Sequence, residues 1–74
     1  MNEAFAVILV DSTSYALRIE KLLKQQGLAC KLIPVPRHLS SDCGVCVRIQ
    51  KQEADVIRTL LQEDQIHFLT IEDV

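Results

Sequence analysis

The sequence predicts a small α+β domain with the element order β-α-β-β-α-β, and three observations carry that prediction. A chain of 74 residues is short enough for one domain, spanning 1–74, with a core a single layer deep. Its apolar residues switch period along the chain, from continuous or alternating runs that suit strands to three-and-four spacings that suit helices. A hydrophobic content of 49% beside a net charge of −2 excludes a disordered chain.

Each element follows from its residues. Phe5 to Val10 is a continuous apolar run rich in β-favouring side chains, the pattern of a central strand covered on both faces. It stops at Asp11-Ser12-Thr13-Ser14, residues that favour helix N-caps. Tyr15, Ala16, Ile19, Leu22 and Leu23 then form one stripe of an amphipathic helix, and Gly27 suits its C-terminal cap. Ala29 to Val35 reads as a second strand, closed by Pro34 and Pro36, which cannot continue a ladder. Pro36 to Cys43 is a polar loop. Val45, Val47 and Ile49 alternate with Cys46, Arg48 and Gln50 as a third strand. Ala54, Ile57, Leu60 and Leu61 mark a second helix, and Ile66 to Ile71 a fourth strand. In so short a chain this order indicates the ferredoxin-like split βαβ arrangement, an antiparallel sheet with two helices on one face. The other face is expected to be open, or to serve a homodimer.

Composition excludes several functions. A domain this small has no room for an enclosed catalytic cavity of the usual size, so any chemistry belongs on a surface loop. A pI near 5.5 with scattered charges argues against a nucleic-acid groove. The apolar run from Ala4 to Val10 has seven residues, far below the roughly 18–20 needed to span a bilayer. With no basic segment at Met1-Asn2-Glu3-Ala4, a cytoplasmic location without membrane association is expected. Three cysteines are an odd count, which favours reduced thiols over a disulfide framework.

The predicted topology gathers chemistry at one edge. Strands one and two run the same way with strand three between them, so Asp11 to Ser14, Pro34 to Cys46 and Gln65 to His67 are expected to meet. The opposite edge, with Gly27-Leu28 and Gln50 to Glu53, holds ordinary connections. Cys43-Gly44-Val45-Cys46 is the most informative tetrapeptide. A thiol beside a helix N-terminus can have its pKa lowered. Strand parity puts Cys43 on the face of Val45 and Val47, toward the cap of helix one. Arg37 and His38 would add positive potential, while Asp11 and Asp42 would oppose it. A buried small hydrophobe is the plainer role for a free cysteine, but the polar neighbours Ser40, Ser41 and Asp42 favour a reactive thiol.

Cys46 has three readings: a resolving thiol, a metal ligand with His38 and His67, or a small residue on the open sheet face. Residues i and i+3 of a regular strand diverge and sit roughly 10 Å apart, beyond the 7 Å or so a disulfide spans. Pairing with Cys43 would therefore need a turn at Gly44. A lone CxxC with two unmatched histidines is a poor zinc pattern, so neither metal nor other cofactor is expected. Cys30 reads as core. His67 is either a base toward a ligand or thiol, or a plain surface residue. Arg48, at a strand centre on the open face, calls for an anion or a neighbouring glutamate.

Three segments together resemble a known family. They are Ser12-Thr13-Ser14-Tyr15-Ala16-Leu17-Arg18-Ile19-Glu20-Lys21-Leu22-Leu23-Lys24, then Leu32-Ile33-Pro34-Val35-Pro36-Arg37, and Ser40-Ser41-Asp42-Cys43-Gly44. With them the chain resembles, over nearly its whole length, the small domains described as putative selenium/sulfur carrier protein-like, a family long listed only as a domain of unknown function. The resemblance implies a role in bacterial selenium or sulfur handling, with donor and acceptor proteins as partners. It carries over the loop Pro36, Arg37, Ser40, Ser41, Asp42, Cys43 and Gly44, with Cys46 a looser part of the pattern. A carrier would hold a persulfide or selenopersulfide on Cys43, near the start of helix one with Ser12 and Thr13, without conventional enzymatic turnover. A small-anion or protein-binding regulatory module, and a thiol–disulfide protein using Cys43 and Cys46, are the alternatives.

Overall fold

The computed structural model describes residues 4–39 and 44–74. Along the chain run β1 (Phe5–Leu9), α1 (Thr13–Gln25), β2 (Cys30–Pro34), β3 (Val45–Gln50), a short 3₁₀ turn (Lys51–Glu53), α2 (Ala54–Glu63) and β4 (Thr70–Asp73). The strands form one sheet in the order β2-β3-β1-β4, and every neighbouring pair is antiparallel. This is the ferredoxin-like α+β arrangement, with β1 and β2 running the same way on either side of β3.

The helices cover one sheet face. Ala6, Ile8, Val47 and Ile49 of the strands meet Ala16, Ile19 and Leu23 of α1 and Ile57 and Leu61 of α2 in a single buried cluster. The alternation of β3 sorts its residues as expected, with Val47 and Ile49 in this core and Cys46 on the other face.

Both helices end in the same device. At α1 the Leu28 N–H donates to the Leu23 carbonyl at 2.9 Å and Gly27 N–H to Lys24 at 3.1 Å, with Gly27 at φ +73°. That is the Schellman cap, and Leu28 is the apolar residue that closes it against the core. At α2 the Ile66 N–H donates to Leu61 at 2.9 Å and Gln65 N–H to Gln62 at 3.2 Å. Here the left-handed position falls on Gln65, at φ +54°.

This second cap corrects the expected fourth strand. Ile66 does not open a strand; it plugs the end of α2 and lies 4% exposed in the core. The chain must leave that plug before it can pair with β1, so β4 starts at Thr70 rather than Ile66. Left-handed backbone costs a non-glycine residue about 1–2 kcal/mol, and part of that is offset because glycine loses more chain entropy on folding. Gln65→Gly should therefore raise stability by roughly 0.5–1 kcal/mol, seen as a higher urea midpoint at unchanged slope.

The second sheet face, expected to be open, is covered at the end nearest the β2–β3 loop. Val7, Leu9 and Cys46 are buried there, with Ile33, Val35 and Leu39 packed against them. The chain leaving β2 folds back over its own sheet: the Leu39 N–H donates to the Pro36 carbonyl at 3.0 Å, and this tight turn directs Leu39 inward.

Candidate functional site

The end of the sheet where β1 stops and α1 starts collects most of the expected site. Leu9, the last residue of β1, pairs with Cys46 at the start of β3. It also accepts the Leu69 N–H at 2.8 Å, just ahead of β4. His67 is carried to this end by the α2 cap. Its Nε2 lies 3.3 Å from Asp11 Oδ2, and its ring meets that of Tyr15 edge-on with centroids 5.5 Å apart. Tyr15, expected only as part of the apolar helix stripe, thus forms one wall of the histidine's surroundings. Its place in the first turn, four residues after Asp11, was the signal for this.

The His67–Asp11 pair is 52% and 43% exposed, so it adds little to stability. Its effect is orientation. With the carboxylate accepting from Nε2, Nδ1 is left as the ring's basic nitrogen. Ser12 occupies the N-cap of α1 in extended backbone without a side-chain cap bond; its hydroxyl instead meets that of Ser14 at 3.0 Å.

The loop between β2 and β3 enters and leaves at this end. The Val35 N–H donates to the Gly44 carbonyl at 3.1 Å, extending the β2–β3 ladder by one pair. Arg37 and His38, in the turn closed by Leu39, are exposed. Among the described residues, no hydrogen bond or ion pair joins them to Asp11 or His67. Ser40, Ser41, Asp42 and Cys43 lie outside the described residues.

Gly44 has φ +79°, a conformation that side chains resist. Regular strand begins just after it, at Val45.

Cys46 is fully buried beneath Leu39, and its thiol lies 3.9 Å from the Pro34 carbonyl. It is a core residue of the second face, not one on an open surface. Cys30 packs against the main core, its thiol 3.8 Å from the Glu20 carbonyl. Burial pushes that thiol's pKa up; Glu20 adds to the rise and Lys24 opposes it. Since the thiolate is the reactive form, Cys30 should alkylate more slowly at neutral pH than a free cysteine, and faster as the solution becomes alkaline. Peptide mapping after iodoacetamide treatment across that range would reveal it. Arg48 Cζ sits 4.3 Å from the centroid of the Phe5 ring.

Among the described residues, no group of three or more histidine, cysteine or acidic side chains is placed to hold a metal ion. No helix there is long and apolar enough to cross a membrane. The sequence pattern of the family described as putative Se/S carrier protein-like matches residues 5–72. No curated protein and no solved structure gives a significant match.

Proposed function

The chain belongs to the putative Se/S carrier protein-like family, and on that premise we propose that it carries sulfur or selenium on Cys43 and passes it to a partner protein. The family match carries the reading; the geometry around the loop is compatible with it. Gly44 accepts the Val35 N–H two residues before Cys46, which pairs with Leu9 at the end of β1.

The transfer is balanced without an oxidant. The Cys43 thiolate attacks the outer sulfur of a donor persulfide, the donor's sulfur–sulfur bond breaks, and the donor leaves as a thiolate. The new bond joins Cys43 Sγ to the transferred sulfur, and an acceptor nucleophile later reverses the sequence. Selenium in the outer position follows the same path. Arg37 would hold the outgoing chalcogen anion or dock the partner, with Ser40 and Ser41 as hydroxyl donors and Asp42 and Gly44 shaping the loop. Ser12 and Thr13 would offer backbone N–H groups at the start of α1, and His67 Nδ1 would take the thiol proton. The protein acts in this scheme as a carrier, without turnover, and its partners are a chalcogen donor and an acceptor. Intact mass after incubation with a cysteine desulfurase and cysteine tests the reading: the chain should gain one sulfur atom.

A thiol–disulfide role for Cys43 and Cys46 draws support from the left-handed Gly44, which removes the objection that a regular strand would raise. Against it stands the burial of Cys46, because Leu39 would have to lift before the thiol could be attacked. Mild oxidation with a loss of two hydrogens localised to this peptide would favour the redox role over the carrier. The absence of both loading and disulfide formation would leave a small-anion or protein-binding module.

A further inference from the structure

The edge of the sheet remote from the carrier loop holds a feature that the carrier chemistry does not use. Lys31 of β2 stands directly opposite Arg48 of β3 in the antiparallel register. Like charges in that position destabilise a strand pair. Neither is ion-paired among the described residues, whose lysine bridges run from Lys24 to Glu20 and from Lys51 to Asp73. Across the same row of the sheet the order is Lys31, Arg48, Val7, Glu72. Glu72 is thus two strand spacings from Arg48, roughly 10 Å, and its Oε2 accepts the Thr70 hydroxyl at 2.8 Å.

Arg48 is held in place nonetheless. Its guanidinium carbon lies 4.3 Å from the centroid of the Phe5 ring, a contact that restrains the group and can leave N–H donors for a ligand. Beside it Gln50 accepts the Gln52 amide on Oε1 at 3.2 Å, which leaves the Gln50 NH₂ available as a donor. These side chains line a shallow cleft of about 210 Å³, smaller than the roughly 300–1,000 Å³ that larger ligands occupy.

The geometry points to an oxyanion site in this cleft, which takes the phosphate or carboxylate headgroup of a small molecule between Lys31 and Arg48. A planar guanidinium fork grips such a group with two parallel hydrogen bonds, and the lysine supplies a point charge. The bound anion supplies the countercharge that the Lys31–Arg48 pair lacks. The same lysine on an edge strand would also discourage sheet-to-sheet aggregation, but that role predicts no ligand.

Chemical-shift titration of the whole chain with inorganic phosphate, and separately with glutarate, tests the site against sodium chloride at matched ionic strength. Saturable shifts are expected at Phe5, Lys31, Arg48 and Gln50, and affinity should fall by about fivefold or more in Lys31→Gln and in Arg48→Lys. Tighter phosphate binding assigns the headgroup to a phosphate, and tighter glutarate binding assigns it to a carboxylate. Shifts no larger than those from chloride, or unchanged affinity in Lys31→Gln, would overturn the proposal. Lys31 is exposed, so that variant decides the matter even if Arg48→Lys loosens the fold. The titration does not involve Cys43, and its outcome is independent of sulfur loading.

Discussion

Replacing Cys43 by serine is expected to abolish sulfur loading while leaving the thermal transition unchanged. Serine matches cysteine closely in size, but its hydroxyl is not ionised near neutrality and cannot form a persulfide. The two remaining thiols do not substitute for it. Cys46 is fully buried, and burial raises the pKa of Cys30. The wild-type chain should gain one sulfur atom after exposure to a cysteine desulfurase and cysteine, and Cys46→Ser should gain the same, whereas Cys43→Ser should gain none. Full loading of Cys43→Ser would sink the carrier reading. A helix dipole is worth about 0.3–1 kcal/mol at an exposed site, less than one pKa unit. The thiol therefore needs a second cation, and Arg37→Ala should slow alkylation of Cys43 without changing the rate at Cys30.

The fold was legible because its signals are local. The apolar run of β1, the stripe of α1 and the alternation of β3 each state a period within a few residues, and the four-strand order follows from their sequence. Gly27 was readable as a cap because glycine is the usual residue in left-handed backbone. Gln65 takes the same conformation without the same residue type, so Ile66 read as the start of a strand rather than as the plug of α2. The covering of one end of the second face was hidden for a different reason. Leu39 is a single apolar residue inside a polar loop, with no periodicity to show that it turns inward onto Val7, Leu9 and Cys46.

The site divides along the same line. Topology brought Asp11 and His67 to one edge from 56 positions apart in the chain, since strand ends are fixed by strand order. The left-handed backbone at Gly44 was less legible, because glycine permits that conformation without requiring it. The Lys31–Arg48 pairing was equally out of reach, because it depends on the β2–β3 register set by an intervening loop rather than on either strand alone.

The largest stability effect expected on the helix layer is that of Leu61→Ala. Leu61 is fully buried in the core between α2 and the sheet, and truncating a buried leucine costs about 2–5 kcal/mol through lost burial and the cavity left behind. A domain of this length has a total stability of only about 4–11 kcal/mol, so the variant should lose roughly a fifth or more of it in urea denaturation. Val56, on the same helix, is 57% exposed, and Val56→Ala should stay within about 0.5 kcal/mol of the parent. Leu61 also accepts the Ile66 N–H, and Ile66 is what carries His67 to Asp11. The damage should therefore reach the site: in Leu61→Ala, the Tyr15 and His67 ring resonances should move toward their unfolded positions at denaturant concentrations where the parent retains them. A Leu61→Ala variant as stable as Val56→Ala would show that the α2 cap does not anchor this end of the sheet.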